Sequence, residues 1–117
     1  MAKKGIITKQ DSKDFDMLYP ILTSVFNETK ELSKKKQDDA LNVLKVKMIN
    51  KILIKVKELL KDDPSIIFLD LLNEENIPTN SDAVFIIAQF KSAMDQFKNK
   101  HYGWDDGIFG NTWLTEN

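Results

Sequence analysis

Lys45-Val-Lys-Met-Ile-Asn-Lys-Ile-Leu-Ile-Lys-Val-Lys57 is the stretch on which the fold class turns. Read with a period of two, it is a strand. Val46, Met48, Ile52, Ile54 and Val56 share one parity, and Lys45, Lys47, Lys51, Lys55 and Lys57 share the other. Its β-branched residues suit that reading. Read with a period of 3.6, the same stretch is the middle of a helix. Thirteen residues is long against a usual strand of about 5–6. The flanks, Asp39-Ala-Leu-Asn-Val-Leu44 and Glu58-Leu-Leu-Lys61, are rich in helix formers. No turn signal nearby offers a hairpin partner. Helix is therefore the preferred reading, and an α+β fold with a strand near 45–57 is the alternative.

Working outward, no Gly or Pro intervenes between Asp38 and Lys61. Asp38 and Asp39 sit where acids favour a helix start, so a long helix over 38–61 is expected. Leu41, Leu44, Met48, Ile52 and Leu59 lie close to one line on it, and Ile49, Leu53, Val56 and Leu60 widen that line. Upstream, Phe15, Leu18, Leu22, Val25, Thr29 and Leu32 follow a 3-4-3-4-3 spacing, one face of a helix capped by Asp11 or Ser12. Pro20 either kinks this helix or starts it. Downstream, Asp63-Pro64 is a stop and restart, with Asp63 as cap and Pro64 in the first helical position. Ile67, Phe68, Leu71 and Leu72 form a short apolar face. Asn80 or Ser81 caps a last helix that runs to about His101, where Gly103 fits a left-handed terminator.

These segments predict an all-α single domain over residues 1–117: a small three- to four-helix bundle with one long central helix. Residues 1–11 form a flexible lead-in, 12–101 the helical core, and 102–117 an irregular acidic-aromatic tail. The expected core is Leu22, Val25, Leu41, Met48, Ile52, Leu59, Phe68, Leu71, Ile87, Phe90 and Phe97. The helix at 38–61 has more apolar face than the others can cover, including Ile49, Leu53, Ile54 and Val56. Self-association through it is expected.

All 17 basic residues are lysine, there is no cysteine, and His101 is the single histidine. Disulfides, thiolate chemistry, Cys-based zinc sites and arginine fingers are excluded. The formal net charge of −1 conceals a split: residues 1–61 carry +6 and residues 62–117 carry −7. Such asymmetry marks either two halves that pack together or a charged partner surface. The first residues lack the apolar run of a signal peptide, and no apolar stretch approaches the ~18 residues of a membrane span. A cytoplasmic protein without membrane association is expected.

Enzyme signals are sparse: there is no P-loop, no dinucleotide fingerprint and no His-Glu-x-x-His. His101, in a last helical turn, reads as a partner of the helix dipole. Glu28-x-x-Glu31 with Glu58 and Asp62 bears some similarity to the facing carboxylate motifs with which helical nucleotide pyrophosphohydrolases hold Mg²⁺. The second pair is spaced by four instead of three, and Lys61 stands where an acid belongs. No catalytic residue, cofactor or metal is expected. Lys47, Lys51 and Lys55 recur every four residues and form a stripe that could neutralise phosphates without reading sequence. The missing arginine and a pI of about 5.8 weigh against a dedicated nucleic-acid binder.

The segment 102–117 holds both tryptophans, four of the eleven aromatic residues, three acids and no lysine. Tyr102, Trp104, Asp105, Asp106, Phe109 and Trp113 are the candidate partner-binding residues, because aromatic anchors dominate protein interfaces. Packing of the same aromatics onto the helices is the competing use. The expected function is that of a non-enzymatic helical adaptor or regulator that binds another protein. A nucleic-acid accessory role through the lysine stripe is second, and the Mg²⁺-dependent hydrolase third.

Overall fold

A computed structural model describes residues 7–116 of the protein. Its elements among these residues are β1 (Ile7–Thr8), α1 (Lys9–Lys35), α2 (Val43–Leu59), a 3₁₀ turn (Pro64–Phe68), α3 (Asn80–His101), β2 (Tyr102–Asp105), β3 (Gly110–Trp113) and β4 (Thr115–Glu116). The fold is mostly helical. The ambiguous lysine-rich stretch is helix, and the strand alternative at 45–57 is set aside.

α1, not the helix of the opening stretch, is the longest element, at 27 residues. Thr8 caps it instead of Asp11 or Ser12. The Thr8 side chain accepts from the Asp11 amide, and the Asp11 carboxylate accepts from the Thr8 amide. This reciprocal pair satisfies two backbone donors at once. Of the expected lead-in, residues 1–6 lie outside the described residues. Residues 7–11 are ordered structure: β1 runs parallel to β4, with Ile7 opposite Thr115. Pro20 sits inside α1 without ending it. A mid-helix proline removes one backbone bond, yet Pro20 is solvent-facing, while Phe15, Leu18 and Leu22 are buried. The apolar face offsets the lost bond.

α2 begins later than expected, at Val43, with Asn42 as its cap accepting from the Lys45 amide at 2.8 Å. Residues 37–41 are used elsewhere. Leu41 N–H donates to Pro78 O at 2.9 Å, Asn80 N–H to Asp39 O at 2.8 Å, and the Asn80 side-chain amide to Lys36 O at 2.8 Å. A backbone paired across to the start of α3 cannot also close helical turns. The helical phase also differs from the expected one. Val46, Ile49, Leu53, Val56 and Leu60 are buried, a 3-4-3-4 spacing, while Met48 is 57% exposed. Three of the four residues expected to be surplus, Ile49, Leu53 and Val56, are therefore core, and only Ile54 is exposed.

The Asp63-Pro64 restart forms as expected, but as a 3₁₀ turn. Phe68 is 67% exposed and Leu71 also faces solvent, while Leu69 and Leu72 are buried. Two expected core residues are thus replaced by their neighbours. The extended chain after the turn is held by Asn50, a buried polar residue on α2. Its amide donates to Leu72 O at 2.8 Å, and its carbonyl accepts from Leu72 N–H at 2.9 Å.

α3 packs along α1, and α1 packs along α2. Thr79 caps α3, its hydroxyl accepting from the Asp82 amide at 3.1 Å. Asn80, one of the expected caps, is buried in the contact to Lys36. Tyr19 donates to Asp95 and accepts from Lys91, tying α1 to α3. Gly103 does not terminate α3 in a left-handed turn. Tyr102 turns the chain directly into extended backbone, and Gly103 lies in β2.

Asp63 fastens the 3₁₀ turn to the end of α3. It accepts from the Ser65 amide (2.9 Å), the Ser65 hydroxyl (2.7 Å) and Lys100 Nζ (2.9 Å). Burial pushes the carboxyl pKa up, but these three donors outweigh it and hold it below its ordinary value. A carboxyl lowered in the folded state contributes stability above its unfolded pKa, and that contribution is lost as pH falls through the folded one. Asp63→Ala is expected to cost about 1–2 kcal/mol at neutral pH. In thermal melts the gap to the native chain should narrow as the pH falls below the ordinary aspartate pKa of about 3.9. A gap of constant size would contradict this account.

Candidate functional site

The C-terminal segment is not irregular. β2 and β3 form an antiparallel hairpin in which Tyr102 pairs with Trp113, Gly103 with Thr112, Trp104 with Asn111 and Asp105 with Gly110. The turn is built by the two acids expected to meet a partner. Asp105 Oδ1 accepts from the Gly107 amide at 2.8 Å, and Asp105 O accepts from the Ile108 amide at 3.2 Å. Asp106 Oδ1 accepts from the Trp104 indole N–H at 2.6 Å. Short acidic side chains that bond to the backbone two residues on are the usual chemistry of tight turns.

Only one end of the hairpin is fastened to the helices. The Trp113 ring meets Phe15 edge-on at 4.9 Å and lies 6.4 Å from Phe97, and its indole N–H donates to Asp16 at 3.2 Å. Tyr102 stands edge-on to Trp113 at 5.4 Å, with the Lys98 ammonium 4.8 Å from its ring. The buried His101 closes this end, its ring 4.5 Å from that of Phe97. Leu114 N–H donates to His101 O at 2.7 Å.

The other end projects. Trp104 is 57% exposed, Ile108 59% and Phe109 81%. Phe109 also has φ of +52°, the single non-glycine residue with positive φ among those described. A side chain in that region costs about 1–2 kcal/mol relative to ordinary backbone. The six candidate residues therefore divide. Trp113 and Tyr102 hold the base, Asp105 and Asp106 shape the turn, and Trp104 and Phe109 form an apolar tip. Ile108 belongs to that tip and was not among the expected residues. Its signal is the apolar pair Ile108-Phe109 set between Gly107 and Gly110.

The other candidates lie apart. Lys47, Lys51 and Lys55 are exposed on α2, and Lys55 pairs with Glu58 at 3.4 Å. Lys51 and Lys45 rim a groove of about 430 Å³ between α1 and α2, lined by Val25, Leu32, Met48 and Ile52, with Glu28 also at its edge. Glu31 pairs with Lys34 at 3.0 Å, and the hydrogen bond and charge of Lys34 hold its carboxyl below the ordinary range. Among the described residues, no three acidic or histidine side chains are grouped to hold a metal ion, and Glu28, Glu31, Glu58 and Asp62, the basis of the third-ranked hydrolase alternative, form no such group. No helix of the described residues is long and apolar enough to cross a membrane.

Comparison with protein-family models, with curated proteins and with solved structures returned no match.

Proposed function

We propose that this protein is a small non-enzymatic adaptor or regulator that acts by docking to another protein through the tip of its C-terminal hairpin. The observation that carries this reading is Phe109. A large aromatic side chain occupies a backbone conformation that glycine would adopt without strain, and it is held in solvent. Burial in the chain's own core does not account for that arrangement. Strained residues held by their surroundings cluster at binding sites. Trp104 and Ile108 beside it supply further apolar area, and Asp105 and Asp106 give the tip its negative charge. The lack of catalytic motifs in the sequence supports binding over catalysis.

Phe109→Gly separates the two uses of the residue. Folding stability is expected to rise by about 1 kcal/mol because the strain is relieved. Proteins that co-purify with the native chain are expected to be lost from the variant. Undiminished recovery on a chain that is at least as stable would overturn the tip as the docking element.

A further inference from the structure

We infer that a second copy of this chain docks its hairpin tip into the groove between α1 and α2, giving head-to-tail assembly. The inference rests on the tip being a docking element and names a partner for it.

Both halves of the contact are on one molecule. The groove is lined by apolar side chains that include Met48 and Ile52, by two lysines, Lys45 and Lys51, and by a single acid, Glu28. The tip presents Trp104, Ile108 and Phe109 beside two acids, and residues 102–117 contain no lysine. Apolar anchors would face apolar lining, and carboxylates would face two ammonium groups against the one carboxylate of Glu28. This complementarity also gives a use to the split of charge between +6 and −7 along the chain.

Placement makes the contact intermolecular. The hairpin is fastened to the first half of α1, at Phe15 and Asp16, whereas the groove flanks the second half, from Val25 to Leu32. Asp16 and Glu28 are separated by about 18 Å of helix. Phe109 remains 81% exposed, so the tip does not fill its own chain's groove. The molecule is 51 Å in its long dimension and 18 Å in its shortest. Two different surfaces at separate places on an elongated body join copies in a heterologous way, which yields rings or open chains instead of a closed two-fold dimer. The tip is small, so each contact is weak and sensitive to salt.

Sedimentation of the purified full chain tests this, up to about 1 mM, where even a millimolar contact is populated to roughly a third or more. Species larger than 13.5 kDa are expected to grow with concentration and to shrink at high salt. Phe109→Gly disables the tip. Met48→Glu disables the groove at an exposed position, and circular dichroism checks that both variants are folded. Each variant alone should remain monomeric, and their mixture should form a one-to-one dimer that grows no further. Such complementation is peculiar to a head-to-tail contact. A native chain that stays monomeric throughout overturns the inference, as does a mixture that fails to pair. If the native chain is monomeric while Phe109→Gly still loses its co-purifying protein, self-docking alone has failed and the tip serves a different protein. If Phe109→Gly assembles as the native chain does, the inference fails.

Discussion

Asn50→Leu should lower the stability of this protein by about 3 kcal/mol, roughly 10 °C in melting temperature for a chain of this size. Asn50 is 2% exposed and bonds both the amide and the carbonyl of Leu72, itself buried, while its amide also reaches Glu74 at 3.1 Å. Leucine fills a similar volume but leaves two backbone groups without partners, and each such buried group costs about 1–3 kcal/mol. The segment after the 3₁₀ turn has no sheet partner over Leu69–Asn73 among the described residues, so the clamp and the buried side chains of Leu69 and Leu72 hold it in place. Amide exchange at Leu72 should accelerate in the variant well before the helices open. Asn50→Asp keeps the acceptor, loses the donor and brings a second carboxylate near Glu74. It should also be destabilising, and less so in acid. A leucine variant as stable as the native chain would show that the clamp contributes little.

Trp113→Ala should release the hairpin from the helices. The ring joins Phe15, Phe97 and Tyr102, and its N–H reaches Asp16. Truncation of a fully buried tryptophan costs about 3–5 kcal/mol. Trp113 is half-buried, so about 2–3 kcal/mol is expected here. An isolated two-stranded hairpin is marginal in water, so β2 and β3 should lose protection together once their base is detached. Exchange rates over residues 103–112 would reveal this, with α2 unaffected. The docking proposed for Trp104 and Phe109 should be lost as well, although neither residue is changed. The contrast with Phe109→Gly is sharp: one variant loses binding by melting the hairpin, the other while gaining stability. A hairpin that stays protected without Trp113 would mean that β1–β4 pairing alone suffices to hold it.

Much of the helical architecture was legible in the residues. The spacing of Phe15, Leu18, Leu22, Val25, Thr29 and Leu32 is the inward face of α1 in the structure, and the Asp63-Pro64 restart forms where it is written. Length and flanks favour helix over 45–57, and α2 spans it. The phase of α2 was not legible. Its sequence offers two apolar lines, one through Met48 and Ile52 and one through Val46, Ile49, Leu53 and Val56, of similar strength. The second is buried, and the first faces the core only in part, with Ile52 half-buried and Met48 exposed. The hairpin was missed although Asp105-Asp106-Gly107 is a turn signal. Its strands are four residues each, too short for alternation to register.

The sequence alone determined which segments can be helical, where two of their boundaries fall, and that charge and aromatic residues are unevenly distributed. These are local matters, set by backbone propensity, capping chemistry and composition. Tertiary structure decided what each apolar side chain does. Packing against α1 chose the face of α2, pairing with residues 78–80 delayed its start, and a half-buried Trp113 turned a tail into a hairpin that displays Phe109. The reason is physical. Burial depends on which surfaces meet, and residues such as Trp113 and Phe109, alike in the sequence as aromatic side chains, are separated only by whether another part of the chain covers them.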